Sequence, residues 1–169
     1  MPPDWTVQRG RDAYLAENGF TVEGYDEAWT PVSLFGLRFH VPNTKRHRWG
    51  IMRHDLHHVL TGYGTDLVGE IEVAAWECRG GLRPLGLYTG WIVLSFALLG
   101  LMVAPRRTLA AWRAGPAQGS LFHERCSYES TLAREVGELR AGLQLPREGL
   151  ARGPRRLHGD APQSEAATI

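Results

Sequence analysis

The chain has 169 residues, of which 43% are hydrophobic and 22% charged, a composition typical of a globular protein with one domain and a sizeable core. The formal net charge is +1, so no nucleic acid is expected as a partner. The two cysteines, Cys78 and Cys126, form no CxxC pair, which excludes a zinc ribbon or dithiol redox motif and favours free thiols in a reducing compartment.

The N-terminal segment, residues 1–43, is predicted to be irregular, because glycine, proline and aromatic residues interrupt any hydrophobic period. A short helix around Asp12 to Asn18 and a strand-like piece near Leu34 to Val41 are expected within it. The segment has no apolar stretch after a basic start and carries acidic residues early. We therefore predict neither a secretory signal nor a transit peptide.

From Lys45 onward the pattern becomes helical, since apolar residues recur three and four positions apart. Gly62 follows this run and is the usual type of residue just past a helix end. Thr65 or Asp66 is the predicted cap of a second helix, which ends near Gly80. Two helices joined by a glycine-rich turn are therefore expected to fold back antiparallel.

A third helix is predicted over the apolar run from Trp91 to Ala104, WIVLSFALLGLMVA. The run is shorter than the roughly 20 apolar residues that a membrane span requires. A buried core helix is therefore the first interpretation. A lipid-binding or membrane-facing helix, with Arg106 and Arg107 at the level of the lipid headgroups, is the alternative.

A long terminal helix is predicted from His123 to Leu143, ended by Pro146. The residues after it, 147–169, are rich in arginine, glycine, proline and serine and are predicted to form a disordered tail. The sequence thus predicts a mainly α fold, a single-domain helical bundle over residues 44–146 that follows the irregular N-terminal segment.

One side of the first long helix carries candidate metal ligands. On a helical wheel of about 100° per residue, His54, Asp55 and His58 cluster away from the apolar side, whereas His57 lies with Arg53 and is expected to face solvent. His54 and His58 are one turn apart, so both imidazoles can reach one ion. Asp55 can join them from the edge of the same arc.

Glu70 on the second helix is the other candidate ligand. Leu67, Ile71 and Ala74 lie three or four residues away or beside it, so Glu70 is predicted to fall on the apolar face, whereas Glu72 is expected to be solvated. A buried carboxylate needs a partner, and a metal ion supplies one. A mixed nitrogen and oxygen site suits zinc first, then Mn, Co or Fe, and can leave a coordination position open.

Other classes of site fit the residues less well. HxxxH pairs are common in helices, and two surface histidines beside a salt-bridged glutamate remain an alternative. Zincins use HExxH, but Asp55 stands where their glutamate base would be. An HD-type phosphohydrolase needs a further upstream histidine and a distant downstream aspartate, but the upstream candidates, His40 and His47, lie close to the His-Asp pair. A di-iron bundle needs repeated ExxH pairs, which the sequence lacks.

The spacing His-Asp, two residues, His, eleven residues, Glu resembles the signature of the Coq4 family of ubiquinone-biosynthesis proteins. The resemblance extends over roughly residues 40 to 146. The matching positions are His54, Asp55, His58 and Glu70, the run HVLTG from His58 to Gly62, the pairs Gly69-Glu70, Trp76-Glu77 and Tyr128-Glu129, and the segment ELRAGLQLP. The basic-aromatic run that the family carries before its His-Asp pair is only partly matched by Arg48 and Arg53.

The resemblance implies an all-α fold in which His54, Asp55, His58 and Glu70 bind a divalent metal and act in catalysis, one of them as a proton shuttle. The implied activity is oxidative decarboxylation at ring carbon 1 of a polyprenyl hydroxybenzoate in coenzyme Q biosynthesis, by a metal-dependent decarboxylase. The metal would act as a Lewis acid. The alternative is a non-enzymatic scaffold that binds polyprenyl lipids and holds a structural metal.

The resemblance also implies the partners. They are a polyprenylated quinone precursor, a membrane surface and other quinone-biosynthesis proteins, and a homodimer is a further candidate. Without a predicted signal or transit peptide, the expected location is the cytoplasmic face of a membrane, as a peripheral protein.

Overall fold

The computed structural model describes residues 1–34, 37–117 and 119–151, without the side chains of residues 32–39. Helices dominate these residues and form a single domain, which confirms the mainly α fold. The elements in chain order are α1 (Val7–Glu17), β1 (Trp29–Leu34), β2 (Leu37–Pro42), α2 (Lys45–Thr61), α3 (Leu67–Gly80), α4 (Gly86–Val103), α5 (Pro105–Ala114), α6 (Tyr128–Leu132) and α7 (Val136–Gly142). Strands β1 and β2 pair as an antiparallel hairpin.

The central element is α2, which contacts α1, α3, α4 and α7. The hydroxyl of Thr44 caps its first turn by accepting a hydrogen bond from the His47 amide. Gly62 ends it with φ 82°, in the left-handed conformation that favours glycine, as the sequence predicts. Because neighbouring helices cover several sides of α2, most of its second half is buried.

The turn from α2 to α3 is tight. Asp66 caps α3 by accepting a 2.7 Å hydrogen bond from the Gly69 amide, whereas Thr65 donates to Asn18, the residue that follows α1. A Cβ atom added at Gly69 would stand 2.1 Å from the carbonyl oxygen of Gly64. The turn therefore packs directly against the first turn of α3, which carries Glu70.

The N-terminal segment contains more regular structure than its sequence predicts. Helix α1 begins five residues before the predicted Asp12, because the Thr6 hydroxyl accepts from the Arg9 amide and caps the helix there. The strand-like piece predicted near Leu34 to Val41 corresponds mainly to β2, which pairs with β1. Tyr14 and Tyr25 from this segment are buried in the core cluster.

Helix α5 is an addition to the predicted elements. Pro105 ends the apolar run, as expected, and also occupies the first position of α5, where its missing amide costs nothing. Arg107 on α5 binds Glu72 on α3 through two hydrogen bonds of 2.8 and 2.7 Å. The prediction that Glu72 is solvated is therefore wrong, since it is buried in this ion pair.

Helix α4 begins five residues before the predicted Trp91. Together with the preceding 3₁₀ turn it runs from Arg83 to Val103, which is 21 residues, long and apolar enough to cross a membrane by length and composition only. The prediction that it is too short for a span is therefore wrong. Only 22% of its most apolar stretch is buried, so the core-helix interpretation holds for one face alone, with Ala97 and Gly100.

The predicted terminal helix from His123 to Leu143 is wrong, because two short helices, α6 and α7, occupy this region. The chain is extended between them, where Glu135 forms a β-bridge with Thr6. The amide of Val7 donates to Arg134 and the amide of Val136 donates to Trp5. Pairing with the N-terminal segment therefore takes the backbone out of the helical path.

Arg140 on α7 joins three separate parts of the chain. Its guanidinium is fully buried and donates to the carbonyls of Val59 and Leu60 at the end of α2, and to those of Met1 and Arg147. The C-terminal end of α2 is thereby held from outside the helix.

The predicted disordered tail, residues 147–169, lies outside the described residues from position 152 onward. The described part, residues 147–151, turns back to the end of α2, where the amides of Leu150 and Ala151 donate to the Thr61 carbonyl.

Candidate metal centre

Three side chains of the candidate site converge between α2 and α3. The Nε2 atoms of His54 and His58 are 3.1 Å apart. The carboxylate of Glu70 is 3.2 Å from the first and 3.4 Å from the second. His58 is fully buried, while the side chains of His54 and Glu70 are 22% and 30% exposed. The predicted convergence of Glu70 with the histidine pair is thus present, at the edge of the core.

The other ring nitrogen of each histidine is held by an oxygen atom. Nδ1 of His58 donates to the Tyr63 carbonyl over 3.1 Å, and Nδ1 of His54 lies 2.9 Å from a carboxylate oxygen of Glu77. Tyr14 stacks on the His58 ring with a centroid separation of 5.3 Å. Acceptors at Nδ1 leave the Nε2 atoms, which lie 3.1 Å apart, available to a metal, and this is a common arrangement of metal-binding histidines.

The distances fit one small cation. Zinc bonds to nitrogen and oxygen are about 2.0–2.2 Å, so tetrahedral ligands lie about 3.3–3.5 Å apart. The 3.1 Å between the two Nε2 atoms is close to this value, as are the 3.2 Å from Oε2 of Glu70 to His54 and the 3.4 Å from the other oxygen, Oε1, to His58. Among the residues that the structure describes, His54, His58 and Glu70 form the group that could hold a metal ion. Three ligands would leave a fourth position of a tetrahedral site open.

The predicted fourth ligand, Asp55, has other partners. Its carboxylate accepts hydrogen bonds from the hydroxyls of Tyr25, at 2.5 Å, and Tyr14, at 3.4 Å. Burial raises the pKa of Asp55, although the nearby histidines oppose this shift. Asp55 as a metal ligand stays a prediction, because the structure groups the other three residues without it.

His57 contradicts its sequence interpretation. It was expected to face solvent, but it is fully buried and its Nδ1 atom lies 2.6 Å from Glu77. Its Nε2 atom accepts a 3.2 Å hydrogen bond from the Leu121 amide. The helical wheel fails here because α2 is covered on that side by the segment around Leu121 and by Trp76 of α3.

The electrostatics of the site favour a positive charge. Burial opposes charge on His54, but Glu77 and Glu70 outweigh it and raise the pKa of His54 well above its usual value. Burial also opposes ionisation of the two glutamates, but the histidines lower the pKa of Glu70 far below its usual range and that of Glu77 to about 2. A proton or a metal ion can supply the positive charge that these two carboxylates demand.

Glu77 is matched by the family resemblance in the pair Trp76-Glu77, but it was not among the predicted site residues. It lies seven residues after Glu70, which is two helical turns, so both glutamates share a face of α3. That periodicity could have placed it beside the site. The tyrosine partners of Asp55 carry no comparable local signal, since Tyr14 and Tyr25 are 41 and 30 residues away in the chain.

Comparisons with known proteins leave the chain without an assigned relative. No protein-family model matches it, and neither the curated proteins nor the solved structures contain a significant match.

Proposed function

We propose that this chain is a Coq4-like, metal-dependent protein of coenzyme Q biosynthesis that carries out oxidative decarboxylation at carbon 1 of a polyprenyl hydroxybenzoate. The observation that carries the proposal is the convergence of His54, His58 and Glu70 on one point, at the spacing that resembles the Coq4 signature. The mainly α fold agrees with what the resemblance implies.

Zinc is the metal that we assign to the site, because two imidazoles and a carboxylate suit it. When bound, zinc supplies a Lewis acid for the carboxylate and phenol oxygens of the substrate. The reaction replaces the carboxylate by a hydroxyl: the substrate, dioxygen and water give the phenol, CO2 and hydrogen peroxide, so that water supplies the oxygen atom and dioxygen accepts the two electrons. Zinc carries no electrons, so dioxygen is the co-reactant that we assign.

The residues of the site divide the remaining tasks. His54 and His58 hold their Nε2 atoms towards the ion, as their Nδ1 partners require. Glu70 is more exposed than His58 and offers two acceptor oxygens, so it would bind the ion and accept a hydrogen bond from the substrate's phenol hydroxyl. The stacked ring of Tyr14 closes one side of the site against water.

The exposed side of α4 supports a membrane surface as partner. The side chains of Leu87, Trp91, Leu98, Leu101 and Met102 are exposed and lie within an arc of about 100° on the helical wheel. Arg106 follows at the start of α5 and is also exposed. An apolar stripe beside a basic residue is typical of helices that lie in the interfacial region of a bilayer.

We expect the double variant Leu87→Asp, Met102→Asp to lose binding to anionic liposomes. The two side chains are 95% and 84% exposed, so the fold should tolerate the change. Burying a Leu or Met side chain contributes roughly 1.5–3 kcal/mol, so the bound fraction should fall at least about tenfold. Liposome flotation measures this bound fraction. Phe20→Asp, which changes an apolar residue with 49% exposure outside α4, is the control. Equal flotation of the double variant and the wild type would contradict a membrane-bound α4.

The same stripe supports the second candidate function, a non-enzymatic scaffold for polyprenyl lipids in which the metal is structural. The two candidates differ in the product formed. Zinc-loaded wild type and Glu70→Ala are incubated with a polyprenyl hydroxybenzoate, with and without dioxygen, and products are measured by mass spectrometry. The enzyme requires a decarboxylated, hydroxylated product from the wild type under oxygen only. Bound zinc without product favours the scaffold, and absence of stoichiometric metal contradicts both.

A further inference from the structure

Two histidines, the buried His57 and the partly exposed His54, share one carboxylate oxygen beside the candidate metal centre. Oε1 of Glu77 lies 2.9 Å from Nδ1 of His54 and 2.6 Å from Nδ1 of His57. Glu77 and His57 are fully buried. The second oxygen, Oε2, has no hydrogen-bond partner among the residues that the structure describes. A buried carboxylate with an unused oxygen costs stability, so a role in folding alone explains it poorly.

The position of the proton on His57 follows from its two contacts. Nε2 faces the amide of Leu121, which can only donate, so this nitrogen must be the acceptor and carries no proton. A neutral imidazole has its proton on one nitrogen, and here that nitrogen is Nδ1. His57 therefore donates to Glu77 and fixes the orientation of the carboxylate.

The same oxygen then faces Nδ1 of His54. An ionised carboxylate only accepts hydrogen bonds, so Nδ1 of His54 is the donor and holds a proton. The lone pair of His54 that remains for a metal is on Nε2, the atom that faces His58 and Glu70. His58 reaches the same state through the Tyr63 carbonyl, so the two ligands are oriented by different acceptors.

We propose that Glu77, held in place by His57, is a positioning residue that fixes the Nδ1–H form of His54 and so presents its Nε2 atom to zinc. The role rests on the metal centre of the proposed function and adds to it two residues that touch neither the ion nor the substrate. Such hydrogen-bond partners of metal ligands typically change metal affinity 10- to 100-fold when they are removed.

The test compares two changes at the same position. Glu77→Met removes the acceptor with little change in size, and we expect zinc affinity, measured by competition with a chromophoric chelator, to fall 10- to 100-fold. Glu77→Gln keeps an acceptor oxygen and should recover most of the affinity. Glu72→Met is the matched control, because it removes a buried carboxylate of the same helix that binds Arg107 instead of a histidine. Its zinc affinity should equal that of the wild type.

A second measurement does not depend on zinc. In the metal-free protein, the Nδ1 protons of His54 and His57 should give slowly exchanging NMR signals, present in Glu72→Met and lost in Glu77→Met. If Glu77→Met does not fold, His57→Asn, which keeps a donor towards Glu77, is expected to bind zinc more tightly than His57→Phe.

The results that would contradict the positioning role differ from those that would contradict the metal centre. Equal zinc affinity in Glu77→Met and the wild type overturns the positioning role alone, as does equal affinity in the two His57 variants. A wild-type chain that binds no zinc overturns the metal centre itself, and this inference with it.

Discussion

His58→Ala is expected to abolish the stabilisation that zinc gives to this protein. The variant removes one of three converging ligands and leaves Glu70 and His54 without their fully buried partner. Zinc at 1,000 times its dissociation constant stabilises a folded protein by about 4 kcal/mol. We expect the affinity to fall by about 1,000-fold or more, so that this gain disappears from the melting temperature.

The measurement is the difference in melting temperature with zinc and with a chelator, because the difference separates metal binding from the cavity that alanine leaves. Elemental analysis gives the zinc content of the same samples. His40→Ala is the matched control, since His40 is exposed on β2, away from the site. A zinc-dependent shift in His58→Ala as large as that in the wild type would mean that the ion is not bound here.

Gly69→Ala is expected to destabilise the fold by about 3 kcal/mol or more, although helix propensity alone would favour alanine by about 1 kcal/mol. The new Cβ atom would lie 2.1 Å from the carbonyl oxygen and 2.5 Å from the carbonyl carbon of Gly64. The obstacle is backbone, so no side-chain rotation relieves it. The turn must move, and with it Tyr63, whose carbonyl holds His58, so zinc affinity should fall as well.

Urea unfolding of metal-free protein measures this loss of stability, and a zinc titration measures the second effect. Gly142→Ala is the control, because Gly142 is also helical and a Cβ atom there would meet nothing within 4 Å. We expect the control to be neutral or up to about 1 kcal/mol more stable. Similar free energies of unfolding for the two variants would contradict the tight turn.

The parts of the site that depend on helical spacing could be predicted from the sequence. One turn separates His54 from His58, and a glycine-rich turn returns the chain to Glu70; both features survive in the structure. The end of α2 at Gly62 could also be predicted from the sequence, because a left-handed helix cap favours glycine. These features depend on residues that are close in the chain.

The features that could not be predicted from the sequence depend on residues that are distant in the chain. The helical wheel predicts that the side of α2 with His57 faces solvent. The segment at Leu121, 64 residues further along the chain, covers that side instead. Asp55 as a metal ligand stays a prediction, but its two tyrosine partners could not be predicted, because they come from the distant N-terminal segment. The long terminal helix is interrupted where Glu135 pairs with Thr6. A periodic pattern describes one element and does not contain the position of its neighbours.

The hydrogen bonds that Arg140 donates to the end of α2 have a consequence for the order in which contacts form during synthesis. The three residues proposed to bind zinc all leave the ribosome by the end of α3, whereas Arg140 follows Val59 and Leu60 by 81 and 80 positions. A nascent chain that ends before Arg140 therefore contains every ligand while the last carbonyls of α2 still lack this donor. The C-terminal end of α2 is therefore completed only after α7 has been synthesised.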